Sequence, residues 1–126
     1  MELPKQYKEK WITALRSGDY EQTDGTLYSC GSFCALGVAL HACDDIIYEN
    51  LDGMHQVSDL ESNLTDAEYR NIPPEIRKGD LQDYVIGLND NEGYTFEMIA
   101  DYIEENVIAR LVRLLHSQLS QREQVT

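Results

Sequence analysis

The sequence predicts a mostly helical α+β fold, a single domain over residues 1–126 built around one buried central helix with one or two short β-hairpins beside it. Three observations lead there. Residues 29–43 hold all three cysteines and no charged side chain, so as a helix this run is apolar nearly all round and must be covered nearly all round. Further segments repeat apolar residues at spacings of three and four behind recognisable caps. Asp-Gly pairs stand between short β-prone runs, which is a hairpin signature. A chain of 126 residues is long enough to close one hydrophobic core.

Taken in order, Pro4 suits a first helical turn, and Tyr7, Trp11, Ile12 and Leu15 form the stripe of a helix that ends near Ser17 and Gly18. Residues 20–22 and 26–28 flank Thr23-Asp24-Gly25 and predict a first hairpin. The central helix is expected over residues 32–41, with the Ser32 hydroxyl as its cap and Phe33, Leu36, Gly37 and Leu40 at helical spacing. Its small residues, Ala35, Gly37, Ala39 and Ala42, let neighbours approach closely. Asp44 and Asp45 break the apolar run, and residues 46–48 and 54–57 around Asp52-Gly53 predict a second hairpin.

Thr65-Asp66-Ala67-Glu68 is a capping box opening a short helix that Pro73 and Pro74 must end. Asp80 is expected to cap a helix carrying Leu81, Tyr84, Val85 and Leu88, closed by residues 89–93. Thr95 caps the longest predicted helix, residues 95–115, with Glu97 near its N-terminal dipole and Arg110, Arg113 and His116 in its later turns. Its buried stripe is Phe96, Ile99, Ala100, Ile103, Val107, Leu111, Leu114 and Leu115, and the polar tail from about residue 118 is expected to fray.

Charge then narrows the functional classes. The net charge is -13, and between residues 44 and 105 there are 17 acidic residues against Arg70, Arg77 and Lys78. Phosphate would be repelled by that middle region, so no direct nucleic-acid or anionic-membrane binding is expected, while a basic protein partner is allowed and not required. No apolar run reaches the roughly 18 residues that span a bilayer, and residues 1–6 lack signal-peptide features, so the chain is expected in the cytoplasm. Three cysteines cannot all pair within one chain and are expected as reduced thiols.

Three ordered motifs carry a resemblance. The run Trp11-Ile12-Thr13-Ala14-Leu15-Arg16-Ser17-Gly18-Asp19-Tyr20-Glu21-Gln22, then Phe33-Cys34-Ala35-Leu36-Gly37-Val38, then Leu88-Asn89-Asp90-Asn91-Glu92-Gly93-Tyr94-Thr95-Phe96 with Ile99-Ala100 and Ile103-Glu104, resembles a group of small, largely uncharacterised bacteriophage and prophage proteins. Their pattern runs W-x-x-A-L-x-S-G-x-Y-x-Q, Y/F-C-C-L-G-V and L-N-D-x-G-x-x-F-x-x-I-A-x-x-I-E. Ala35 stands where that group has a second adjacent cysteine, so paired thiols are not an essential device here. The resemblance implies a phage or mobile-element origin and a shared small fold, and it supplies no activity.

Among chemical motifs, Cys30-Gly31-Ser32-Phe33-Cys34 is similar to the C-G-S-C-W signature of papain-like proteases, with Phe33 and Cys34 where cysteine and tryptophan belong. A cysteine-dependent hydrolase using Cys30 or Cys34, with His55 or His116 as base, is therefore the alternative to a binding protein. A zinc site from Cys30, Cys34, His41 and Cys43 fails on helical geometry, because Cys43 points away from the face shared by Cys34 and His41. Residues 88–99 fail as a calcium loop, having Leu88 and Ile99 where acidic ligands are needed. No metal or cofactor is expected.

The reading that follows is a non-enzymatic, phage-type accessory protein. It is expected to bind a host or competing-element protein with a basic surface through Asp83, Asp90, Glu92, Glu97, Asp101, Glu104 and Glu105, carboxylates that can imitate the phosphate array of a nucleic acid. A third reading is a small self-assembling protein, a homodimer through Leu111, Leu115 and Leu119.

Overall fold

The computed structural model describes residues 1–109, and it is an α+β fold dominated by helices. Strand β1 (Glu2–Leu3) leads into helix α1 (Lys5–Arg16), with Pro4 just outside the first turn as its cap residue. Tyr7, Trp11 and Leu15 bury one face of α1 against the central helix α2 (Ala35–Asp44), whose residues from Ala35 to Leu40 are all buried. The Trp11 indole N–H donates to the Ala35 carbonyl at 2.9 Å, so the largest side chain of the core is buried without an orphaned donor.

The central helix starts three residues later than its sequence predicts. Ser32 is not its cap: Ser32 and Phe33 form strand β4 (Ser32–Phe33), held between β2 (Glu21–Gln22), which runs parallel to it, and β3 (Tyr28–Ser29), which runs antiparallel. Pairing on both sides outweighs helix formation there, and Cys34 becomes the cap, its sulfur accepting from the Gly37 N–H at 3.4 Å. Gly37 is glycine for a steric reason. A Cβ at that position would lie 1.9 Å from the Leu27 carbonyl oxygen, so the loop leading to β3 packs directly on the helix backbone.

The hairpin is likewise displaced. Residues 23–25 do not fold β2 back on β3; the two-residue turn is Cys30-Gly31, which joins β3 to β4. Both turn residues have positive φ, 50° and 85°, as a type I′ turn demands. The second expected hairpin does not form. Residues 48–51 make a short helix, α3 (Tyr48–Leu51), which buries Leu51, and a 3₁₀ turn covers Val57–Leu60, whose spacing of three buries both Val57 and Leu60 where strand alternation would set them on opposite faces.

The Thr65 capping box is present in both directions and opens α4 (Asp66–Asn71), after which Pro73 and Pro74 start the single turn α5 (Pro74–Arg77). Helix α6 (Asp80–Asp90) is preceded by Gly79, so Asp80 is its first residue and not its cap. Leu81 and Val85 are buried in α6 but Tyr84 faces solvent at 56% exposure, because Gln82 and Asn89 take inward positions. Thr95 caps α7 (Phe96–Asn106) through its hydroxyl.

Helix α7 stops at Asn106, short of the predicted residue 115. Val107 turns extended, and strand β5 (Ile108–Ala109) pairs in parallel with β1. Arg110, Arg113, His116 and the dimer stripe Leu111, Leu115 and Leu119 lie outside the described residues, as does the tail from residue 118. Among the described residues no helix is long and apolar enough to cross a membrane.

Candidate acidic and aromatic interface

Helix α7 has three kinds of surface at helical spacing. Phe96, Ile99, Ala100 and Ile103 are buried. Glu97, Asp101 and Glu104 follow one another on a second stripe, and Met98, Tyr102 and Glu105 on a third. The second stripe faces α1, where Arg16 reaches all three carboxylates. Its Nε lies 3.3 Å from Glu97, and its Nη2 lies 2.6 Å from Asp101 and 2.8 Å from Glu104. Lys8 adds a bond from its ammonium to the Glu104 carbonyl at 3.3 Å. Three of the seven predicted partner-binding acids are thus gathered in one place, with one cation shared among them.

The third stripe meets α6. The Tyr84 and Tyr102 rings stack at 6.4 Å with an interplanar angle of 26°, and Met98 is 45% exposed beside them on α7. Burial, followed by the neighbouring Tyr84 and Tyr94 hydroxyls, holds the Tyr102 phenol above its ordinary value. Asp83 precedes Tyr84 in the first turn of α6, and Glu105 lies one turn beyond Tyr102; both are exposed. Helices α6 and α7 therefore present a tyrosine pair and a methionine between carboxylates. The remaining two predicted acids sit apart. Asp90 accepts from the Asn89 side-chain amide at 2.8 Å, and Glu92 is exposed in the connection between the helices.

Asn89 is the residue that sequence reading missed. It is 5% exposed, and its Oδ1 accepts from Gln22 at 2.9 Å and from the Ala35 N–H at 3.2 Å, while its Nδ2 donates to the Thr23 carbonyl at 2.9 Å. Gln22 also donates to the Tyr94 carbonyl at 2.7 Å. One side chain thus ties the N-terminus of the central helix, the loop after β2 and the end of α6 into a satisfied polar knot. The signal was present in the motifs: Gln22, the Phe33–Val38 run and Asn89 come from all three, and they meet here.

The thiols occupy different settings. Cys34 is buried, and burial pushes its pKa up to about 11 despite the Gly37 hydrogen bond, the opposite of the shift that activates a nucleophile. Cys43 is pushed up to about 12 by burial and by Asp44, and donates to the Tyr7 carbonyl. Cys30 is exposed in the hairpin turn, and all three thiols are free. The two described histidines are engaged elsewhere: His41 Nδ1 is 2.9 Å from the Tyr20 hydroxyl and His55 Nδ1 is 2.6 Å from the Gly25 carbonyl. Among the described residues no group of three or more His, Cys, Asp or Glu side chains is disposed to hold a metal ion.

A second polar contact joins α1 to the end of α2. The Tyr7 hydroxyl donates to Asp44 Oδ2 at 2.7 Å. Burial raises the Asp44 carboxyl to about 6, the hydrogen bond from Tyr7 opposing the shift and the adjacent Asp45 charge adding to it.

No curated protein and no solved structure matches the chain. A family model does match, from β1 through α5, leaving α6 and α7 outside the matched stretch. With residues 3–77 matched, more than half of its length, the chain belongs to the family described as Domain of unknown function (DUF8296).

Proposed function

We propose that this chain is a non-enzymatic accessory protein of phage type that binds and modulates a host or competing-element protein through the α6–α7 face. The partner presents a basic surface, such as the cleft of a nucleic-acid-binding protein, and the carboxylates take the place of phosphates. The observation that carries this reading is the stack of the exposed Tyr84 on the half-buried Tyr102, with the exposed Met98, set among Asp83, Glu97, Asp101 and Glu105. Aromatic residues and methionine form the desolvated centre of protein interfaces, and surrounding charge guides encounter and selects the partner.

The Arg16 cluster decides how the reading is tested. Reversing Glu97, Asp101 or Glu104 would set like charges against Arg16 and disturb the α1–α7 contact, whereas Asp83 and Glu105 take part in no ion pair among the described residues. The tagged protein is used to capture partners from bacterial lysate, washed at low and raised salt and challenged with competing DNA. A nucleic-acid-binding protein that DNA displaces, and that the double variant Asp83→Lys, Glu105→Lys no longer captures, is the expected result. Equal capture by wild type and variant would overturn it.

A further inference from the structure

A second surface stands at the start of α3, away from α6 and α7 in sequence and inside the family-matched stretch. Ile47 and Tyr48 are 56% and 47% exposed there. The Tyr48 ring tilts by 43° against Tyr28 at 5.1 Å, and Tyr28 in turn meets the buried Phe33 ring edge-on at 4.8 Å. The aromatic row thus runs from the core into solvent on a rigid base. Three exposed carboxylates flank it along the chain: Asp45 closes α2, Glu49 follows Tyr48 in the first turn of α3, and Asp52 ends α3, its backbone bridged to Tyr28. No ion pair among the described residues engages any of the three.

We propose that Ile47, Tyr48, Asp45, Glu49 and Asp52 form a docking surface for an arginine-bearing segment of another protein. A guanidinium is planar and weakly hydrated, so it lies flat on an exposed tyrosine ring while its forked N–H groups bond a carboxylate at the ring's edge. Ile47 supplies an apolar contact for the neighbouring side chain of such a segment. Charge complementarity decides against a second copy of this chain, because a two-fold contact would face three carboxylates with three more. The surface is independent of the α6–α7 reading and stands if that reading falls.

The test is a titration of the full chain, ¹⁵N-labelled, with a short peptide alternating arginine and leucine, and with its lysine counterpart, at about 0.15 M salt to screen diffuse attraction. Amide shifts are expected to centre on residues 45–52 and Tyr28, with the arginine peptide binding several-fold more tightly. The charge-neutral double variant Ile47→Ser, Tyr48→Ser should weaken binding about tenfold, and Ile108→Ser, at a 63% exposed position assigned to neither surface, should leave it unchanged. Both variants alter exposed positions, and circular dichroism checks that their fold is intact. Shifts spread over the whole acidic surface, shifts centred on α6 and α7, equal affinity for the lysine peptide, or self-association through the patch in sedimentation would each overturn the proposal.

Discussion

Asp44 is held in a setting that penalises its charge. It is the last residue of α2, where the helix dipole is negative, it is half-buried, and Asp45 follows it. Its carboxyl binds a proton more tightly in the folded chain, at about 6, than at the ordinary 3.8. The folded state therefore holds more protons between those values, and stability falls as pH rises through that window. Asp44→Asn keeps an oxygen that can accept from Tyr7 and removes the charge. The variant should be more stable than wild type by about 1 to 2 kcal/mol at pH 8, after discounting for the carboxyl's partial exposure, and equal to it near pH 4. Urea unfolding at the two pH values reads this directly; an unchanged difference across pH would show that Asp44 ionises without cost in the fold.

At the scale of the element, the β3–β4 hairpin shows what local sequence can and cannot specify. Its turn places Cys30 at φ 50°, a left-handed conformation that costs an ordinary L-residue about 1 kcal/mol and that asparagine tolerates well. Cys30→Asn, which creates the preferred Asn-Gly turn, should raise the urea midpoint by an amount corresponding to about 1 kcal/mol with an unchanged slope. A lower midpoint would mean that the thiol contributes a contact the turn needs. The caps of α4 and α7 were legible in sequence because each is closed within four residues, by Thr65 with Glu68 and by Thr95 with the Met98 amide. The start of α2 was not, because Ser32 is claimed by strands 21–22 and 28–29 and the first amide of the helix by Asn89, 54 residues away. The end of α7 was misplaced for the same reason, since β1 captures Ile108 and Ala109 from the far end of the chain. The acids of the candidate interface could be named from sequence, and so could their spacing on α7. That Arg16 would gather Glu97, Asp101 and Glu104, with Asp83 and Glu105 in no ion pair among the described residues, depends on α1 lying against α7 and has no local signature.

At the scale of the whole molecule, the chain carries a net charge of -13. Only two groups of ion pairs occur among the described residues, Lys5 with Glu9 and the Arg16 cluster, so most of the acidic side chains repel one another without local compensation. Self-repulsion of this kind opposes the compact state more than the expanded one. Salt shortens the range of that repulsion, from about 30 Å at 0.01 M to about 8 Å at 0.15 M. The melting temperature of the wild type should therefore rise by several degrees between those conditions. Arg16→Met sharpens the test, because it leaves Glu97, Asp101 and Glu104 facing one another on α7 while keeping an apolar stem against the helix. Its melting temperature should fall below that of wild type at low salt and recover most of the difference as salt is added, since repulsion among exposed carboxylates is what salt screens. If salt instead lowered the wild-type melting temperature, the attraction within the Arg16 cluster would outweigh the repulsion of the remaining surface. The α1–α7 contact would then be the electrostatic centre of the fold.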